Sequence, residues 1–247
     1  MSEEGDKSLD ILGAKPVARA IERFSGAAVD GVGAFLSRIC LPAAEEFGFL
    51  LRDKVSGWRT QNTLNVASKA KVMIEADPSS DGDHAHPRVV CAILESGSWT
   101  DDDQMQSMWA ALLANSCNGD GTDQGNTLFI NILQQLMPTE ARLLKWSVEN
   151  SKVRLAEGGW LDTDEIIINL KLLRQITGLN DPQRIDREID HMRSLGLLTE
   201  DSGFDLDSTD AIVEVAALGL QFFAKTSVRS SSVEAFYGLQ PRGYEEL

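Results

Sequence analysis

Asp101, Asp102 and Asp103 stand in a row before the tryptophan-centred run QMQSMWAALLANS, and a second acidic segment, NGDGTDQGN (118–126), follows it. Clustered carboxylates can hold a divalent cation or exchange protons. Neither use fits these spacings. Successive helical residues point about 100° apart, so three consecutive aspartates cannot converge on one ion. With Thr100 as N-cap they fall in the first turn, where the positive end of the helix dipole favours them. As a calcium loop with Asn118, Asp120 and Thr122 as first ligands, the second segment puts Asp123 where the sharp turn needs glycine. It also puts Phe129 where a bidentate glutamate is required, so the segment reads as a connector.

The remaining chemistry-bearing residues are no better assembled. His84 and His86 sit in DPSSDGDHAHP (77–87) with Asp81 and Asp83, but an HxH pair without a third ligand is a weak metal site, and the composition is that of a solvated loop. Asp162 and Asp164, like Asp101 and Asp103, fit loop or capping roles. Cys40, Cys91 and Cys117 are widely spaced and odd in number, as expected of buried thiols in a reducing compartment. The patterns GxxxxGK[ST], HExxH and GxSxG are absent. The sequence therefore predicts no catalytic residues, no cofactor and no metal.

The elements around these residues are mainly helical. Ala18, Ile21, Phe24 and Ala28, then Phe35, Ile39 and Leu41, recur at helical steps, and Pro42 suits the start of a further helix. GAAVDGVGA (26–34) holds three glycines, which predicts a loosened helix or a bend where another helix crosses closely; a segment that rearranges or meets a membrane is the alternative. Pro87 opens a helix carrying Val89, Val90, Ile93 and Leu94. Met105, Met108, Trp109, Leu112 and Leu113 then form a single apolar face, and Leu128, Ile132, Leu133 and Leu136 mark the next helix. Three more follow: 138–150 begun by Pro138, 169–179 stopped at Gly178, and one capped by Asp181 with Pro182 in its first turn. LLTED and AIVEVAALGLQFFA read as strands around a hairpin. The fold expected is an N-terminal helical bundle (15–136, with a loop near 77–87) followed by a winged helix-turn-helix-like domain with a small β-hairpin wing (138–226). Flexible ends, 1–14 and 227–247, flank them, and in the second Phe236, Tyr237 and Tyr244 fray, pack back or dock.

The net charge of −15 is unevenly spread. Residues 1–75 carry ten basic and ten acidic side chains, whereas residues 76–136 carry one arginine and nine acids. An acidic body repels phosphate. Within it Arg52, Lys54, Arg59, Lys69 and Lys71, opposed by Asp53 and joined by Trp58, form the best candidate contact surface, suited to a protein partner, an anionic lipid surface or nucleic acid. On the 182–194 helix Arg184, Arg187 and Arg193 alternate with Asp186, Glu188 and Asp190, a mutually paired face that disfavours DNA. His191 beside them reads as a surface residue. The acidic start lacks the order of a signal peptide and no uncharged apolar run could cross a bilayer, so a cytoplasmic protein is expected.

ILESGSWTDDDQMQSMWAALLANSCN, FINILQQLMPTEARLLKW and HMRSLGLLTE with the later LGLQFFAKTS together resemble the abortive infection alpha family of bacteria. The family often has serine where this chain has Met137, with Glu140 retained, so a helix cap is lost here. The resemblance implies a phage-defence protein without a catalytic motif. The function expected is thus non-catalytic antiphage defence through a protein partner or self-association. The alternatives are a winged-helix nucleic-acid regulator using Arg184 and Arg187, or a peripheral membrane effector built from the first helices.

Overall fold

The computed structural model describes residues 26–40, 42, 45, 57–77, 83–205 and 207–240. Ten helices and five short strands lie within them. The predicted flexible N-terminus (1–14), the periodicity over 15–25, Arg52 and Lys54 of the basic patch, and Tyr244 lie outside the described residues.

Six helices come first: α1 Gly26–Ile39, α2 Gly57–Glu75, α3 Pro87–Gly97, α4 Asp103–Ser116, α5 Thr127–Gln135 and α6 Pro138–Asn150. A small hairpin, β1 Arg154–Leu155 and β2 Leu161–Asp162, leads to β3 Ile166–Asn169, α7 Leu170–Thr177 and α8 Pro182–Ser194. The chain closes with β4 Gly203–Phe204, β5 Asp210–Val213, α9 Ala217–Ser227 and α10 Val233–Phe236. β5 is the middle strand of an antiparallel sheet ordered β3-β5-β4, with Asn169 opposite Asp210 and Gly203 opposite Ile212.

Helix α4 is the centre of the molecule. Its N-cap is Asp102, whose Oδ1 accepts the Met105 N–H at 2.9 Å. Thr100, the expected cap, lies outside the helix, as does Asp101. The carboxylate one residue before the first turn wins because it meets the free N–H groups and the helix dipole together. The expected single apolar face is also too narrow: Met105, Gln106 and every residue from Met108 to Ser116 are buried, between α2 and α3 on one side and α9 on another. Polar side chains survive there by bonding back one turn: Ser116 Oγ donates to the Leu112 carbonyl and Asn115 Nδ2 to that of Ala111.

One hydrophobic core runs from α1 to α9, across the expected boundary near residue 137. The ring of Phe222 on α9 lies 6.2 Å from that of Phe129 on α5. In α1, Val32, Phe35, Leu36 and Ile39 enter this core. The helix runs through its glycines, and among the described residues a Cβ at Gly31 or Gly33 would meet nothing within 4 Å.

The C-terminal helix starts are those the sequence predicted. Asn169 and Asp181 cap α7 and α8 through their side chains, Pro138 and Pro182 lie in first turns, and Gly178 ends α7 in the left-handed conformation at φ 74°. The predicted strands differ. LLTED contributes only Leu198, paired with Val215, and AIVEVAALGLQFFA divides into β5 and α9. Its unbroken apolarity suits a buried helix as well as a strand, and Gly219 lets α9 lie almost on the Leu197 carbonyl. Residues 228–240 of the expected tail pack back on the body: Tyr237 Oη donates to the Leu220 carbonyl at 2.8 Å, and Phe236 stacks edgewise on Phe223.

Candidate contact site

Trp58 and Arg59 begin α2 beside the end of α3. The Arg59 guanidinium lies 4.0 Å from the centroid of the Trp99 ring, its Nη2 2.7 Å from Glu95 Oε1, and its Nε donates to Ser98 Oγ at 3.0 Å. Trp99 Nε1 donates to the same Glu95 oxygen at 3.4 Å. The arginine side chain is 13% exposed and the tryptophan 60%. Arg59 is thus a backing plate that orders an exposed indole, because a cation over a ring face and a shared carboxylate both restrict it. Trp58 is exposed as well, at 47%.

Behind Trp99 opens a cleft of about 440 Å³. Buried Met105, Trp109, Leu133 and Leu136 form its interior, while Glu95, Ser96 and Gln134 stand among its outer lining. Gln134 Nε2 donates to Ser96 Oγ at 2.7 Å, tying α5 to α3. Trp99 and Glu95 carried no signal of their own in the sequence. A tryptophan just ahead of a helix start, where it can only be partly covered, is the hint that was present.

The other described cations of the predicted patch, Lys69 and Lys71, are partnered within the chain. Lys69 Nζ lies 2.6 Å from Asp103 Oδ1 and donates to Ser107 Oγ, and Lys71 Nζ lies 3.8 Å from Glu75. Among the described residues the basic stretch is therefore locally neutralised. On α8, Arg184 and Arg187 lie 3.4 and 3.8 Å from the same Glu188 oxygen, and Arg193 lies 2.7 Å from Asp190.

His191, expected to be an uninvolved surface residue, has its Nδ1 2.6 Å from Oε1 of Glu140. Glu140 is fully buried, and its other oxygen accepts the Met137 N–H at 2.7 Å, so half of the capping pattern persists without the serine. Burial pushes the Glu140 carboxyl above the usual range, opposed by the Met137 N–H and His191. The pair spans 51 residues of sequence, which no local pattern reports.

Arg229 was also unforeseen. It lies 2.8 Å from Asp77 and 2.7 Å from Asp83, and donates to the carbonyls of Ala114 and Cys117 at the end of α4. Asn115 completes this fastening, its amide donating to the Lys225 and Val228 carbonyls while its oxygen accepts the Ser230 N–H. Elsewhere, Asp162 and Asp164 both bind Arg154 and His86 Nδ1 caps α3. Burial pushes the Cys117 thiol up to about 12, which keeps it un-ionised. Among the described residues, no three His, Cys, Asp or Glu side chains are grouped to hold a metal, and no helix is long and apolar enough to cross a membrane.

The family model described as abortive infection alpha matches residues 59–224. No curated protein and no solved structure matches the chain.

Proposed function

Since the chain belongs to the abortive infection alpha family, we propose that it is a non-catalytic antiphage defence protein that works in the cytoplasm by contacting another protein. The match spans both the cleft beside Trp99 and most of the C-terminal sheet and helices. Residues 138–226 are read as a winged-helix-like unit. Support comes from the order α6, the β1–β2 hairpin, β3, α7, α8, β4, β5 with β5 between its two partners; apart from the inserted hairpin it is that of a winged helix, in which α8 would be the recognition helix.

The observation that carries the contact reading is the state of the α8 cations. Arg184, Arg187 and Arg193 each lie within 4 Å of a carboxylate on their own helix. A phosphate would have to displace those carboxylates in a strongly acidic protein, so nucleic acid is the weaker partner. A salt titration of DNA binding tests this. Binding is expected to vanish at moderate salt, and R184A/R187A cells are expected to resist phage as wild type does. DNA binding that survives moderate salt and is lost in R184A/R187A would establish the regulator instead. The membrane alternative requires α1 to withdraw Val32, Phe35, Leu36 and Ile39 from the core, at roughly 1.5–3 kcal/mol for each side chain. It predicts liposome leakage that depends on residues 26–51.

A further inference from the structure

We infer that the cleft behind Trp99 is a docking site for a basic segment of a partner protein, which inserts an apolar side chain toward Trp109 and sets lysine or arginine beside Glu95. This inference rests on the contact reading above and names the partner's chemistry. The cleft's size, about 440 Å³, lies within the roughly 300–1,000 Å³ of sites that enclose small groups. Its polar groups do not converge on a ligand: Ser96 and Gln134 bond to each other, and Glu95 Oε1 is taken by Arg59 and Trp99. What it offers is apolar surface and an aromatic wall already fixed in place, the anchor geometry of protein contacts.

Charge selects the occupant. Among the described residues Glu95 is the one charged side chain lining the cleft, and its Oε2 accepts no hydrogen bond from them. Asp101 is exposed next to the lining residue Thr100. Apart from Pro138, the lining comes from residues 76–136, which hold nine acids and one arginine. Arg59, the cation stacked on Trp99, is mostly covered and already paired. Glu95 and Asp101 beside an apolar cleft favour a cationic, apolar segment and disfavour an acidic one.

The probes are a labelled lysine-flanked leucine–phenylalanine peptide and its glutamate-flanked twin, titrated into the full chain by fluorescence anisotropy. The lysine peptide should bind at least about tenfold more tightly than its twin. Removing an anchor tryptophan costs 2 kcal/mol or more, so Trp99→Ala should weaken it about 30-fold. Ser96→Trp, which fills the opening, should do the same, and Glu95→Gln should lose roughly threefold to fivefold. Trp160→Ala, a still more exposed tryptophan on the β1–β2 hairpin, should bind as wild type. Thermal melts of each variant show that it is folded. Equal affinity for the two peptides, or unchanged binding by both W99A and S96W, would overturn the inference. So would failure to bind either peptide together with self-association that W99A abolishes, because a second copy would then be the occupant. Phage survival separates this from the broader reading. Peptide binding lost in W99A with protection intact upholds the site but removes it from defence, whereas unchanged binding removes the site and leaves the defence reading standing.

Discussion

Gly219→Ala should destabilise the whole protein. A Cβ at position 219 would lie 2.1 Å from the Leu197 carbonyl oxygen, 3.0 Å from its carbon and 2.9 Å from Val215 Cγ1. Ordinary contact begins near 3.5 Å, so α9 must retreat by more than about 1 Å. The obstacle is main chain and cannot rotate away. The same carbonyl accepts the Ala216 N–H at 3.0 Å, a bond worth about 1 kcal/mol that such a retreat breaks. Overpacking adds about 1–3 kcal/mol, for a total of roughly 2–4 kcal/mol. At this chain length each kcal/mol lowers Tm by about 2–4 °C, so a fall of roughly 5–15 °C is expected. Urea unfolding followed by far-UV circular dichroism and by tryptophan fluorescence is the assay. Because α9 packs on α4 and α6, both signals should move together to lower urea. A wild-type midpoint would refute the close approach of α9 to Leu197, and two separated transitions would refute the single core.

Three further outcomes follow from other parts of the molecule. Burial holds the Glu140 carboxyl above its ordinary value, so the folded chain keeps a proton that the unfolded chain has released. Its contribution is fully present below the ordinary glutamate range and is lost as pH rises through the raised value, at about 1.4 kcal/mol per pH unit. E140Q should flatten that part of the stability–pH curve, and parallel urea midpoints for the two proteins would contradict it. Arg229→Ala removes the cation paired with Asp77 and Asp83 and a donor to two carbonyls at the end of α4, which should cost about 2 kcal/mol and admit protease within 228–240. Unchanged cleavage in limited proteolysis would count against the clamp. Gly33→Ala, in a helix with open space around the new methyl, should stabilise by about 0.5–1 kcal/mol, read as a rise in Tm.

Several helix ends were legible because one side chain decides them. Asp181, Pro138, Pro182 and Gly178 act on the backbone within a turn of their own position, so their effect is written locally. At α4 the expected cap was Thr100 with three aspartates following in the first turn, and Asp102 took that place instead. Apolar periodicity could not report that α4 is covered on nearly every side, since α9, about a hundred residues later, adds to the coverage by α2 and α3. The same distance hides Arg229 from Asp77 and Glu140 from His191. In the contact site Trp58 and Arg59 were visible as a basic aromatic step. That Arg59 turns inward and lends its surface to Trp99 depends on Glu95, 36 residues on.

Covering the central helix with α9 also sets an order of events during synthesis. Asn115 fastens to a carbonyl 113 residues downstream, and Phe222 closes the core over Phe129. A chain still on the ribosome, or stopped short of Ala217, therefore carries a leucine-rich helix that α2 and α3 cover on one side while the flank α9 takes stays open. Such a fragment is food for chaperones and proteases. The core over α4 closes only when α9 leaves the exit tunnel.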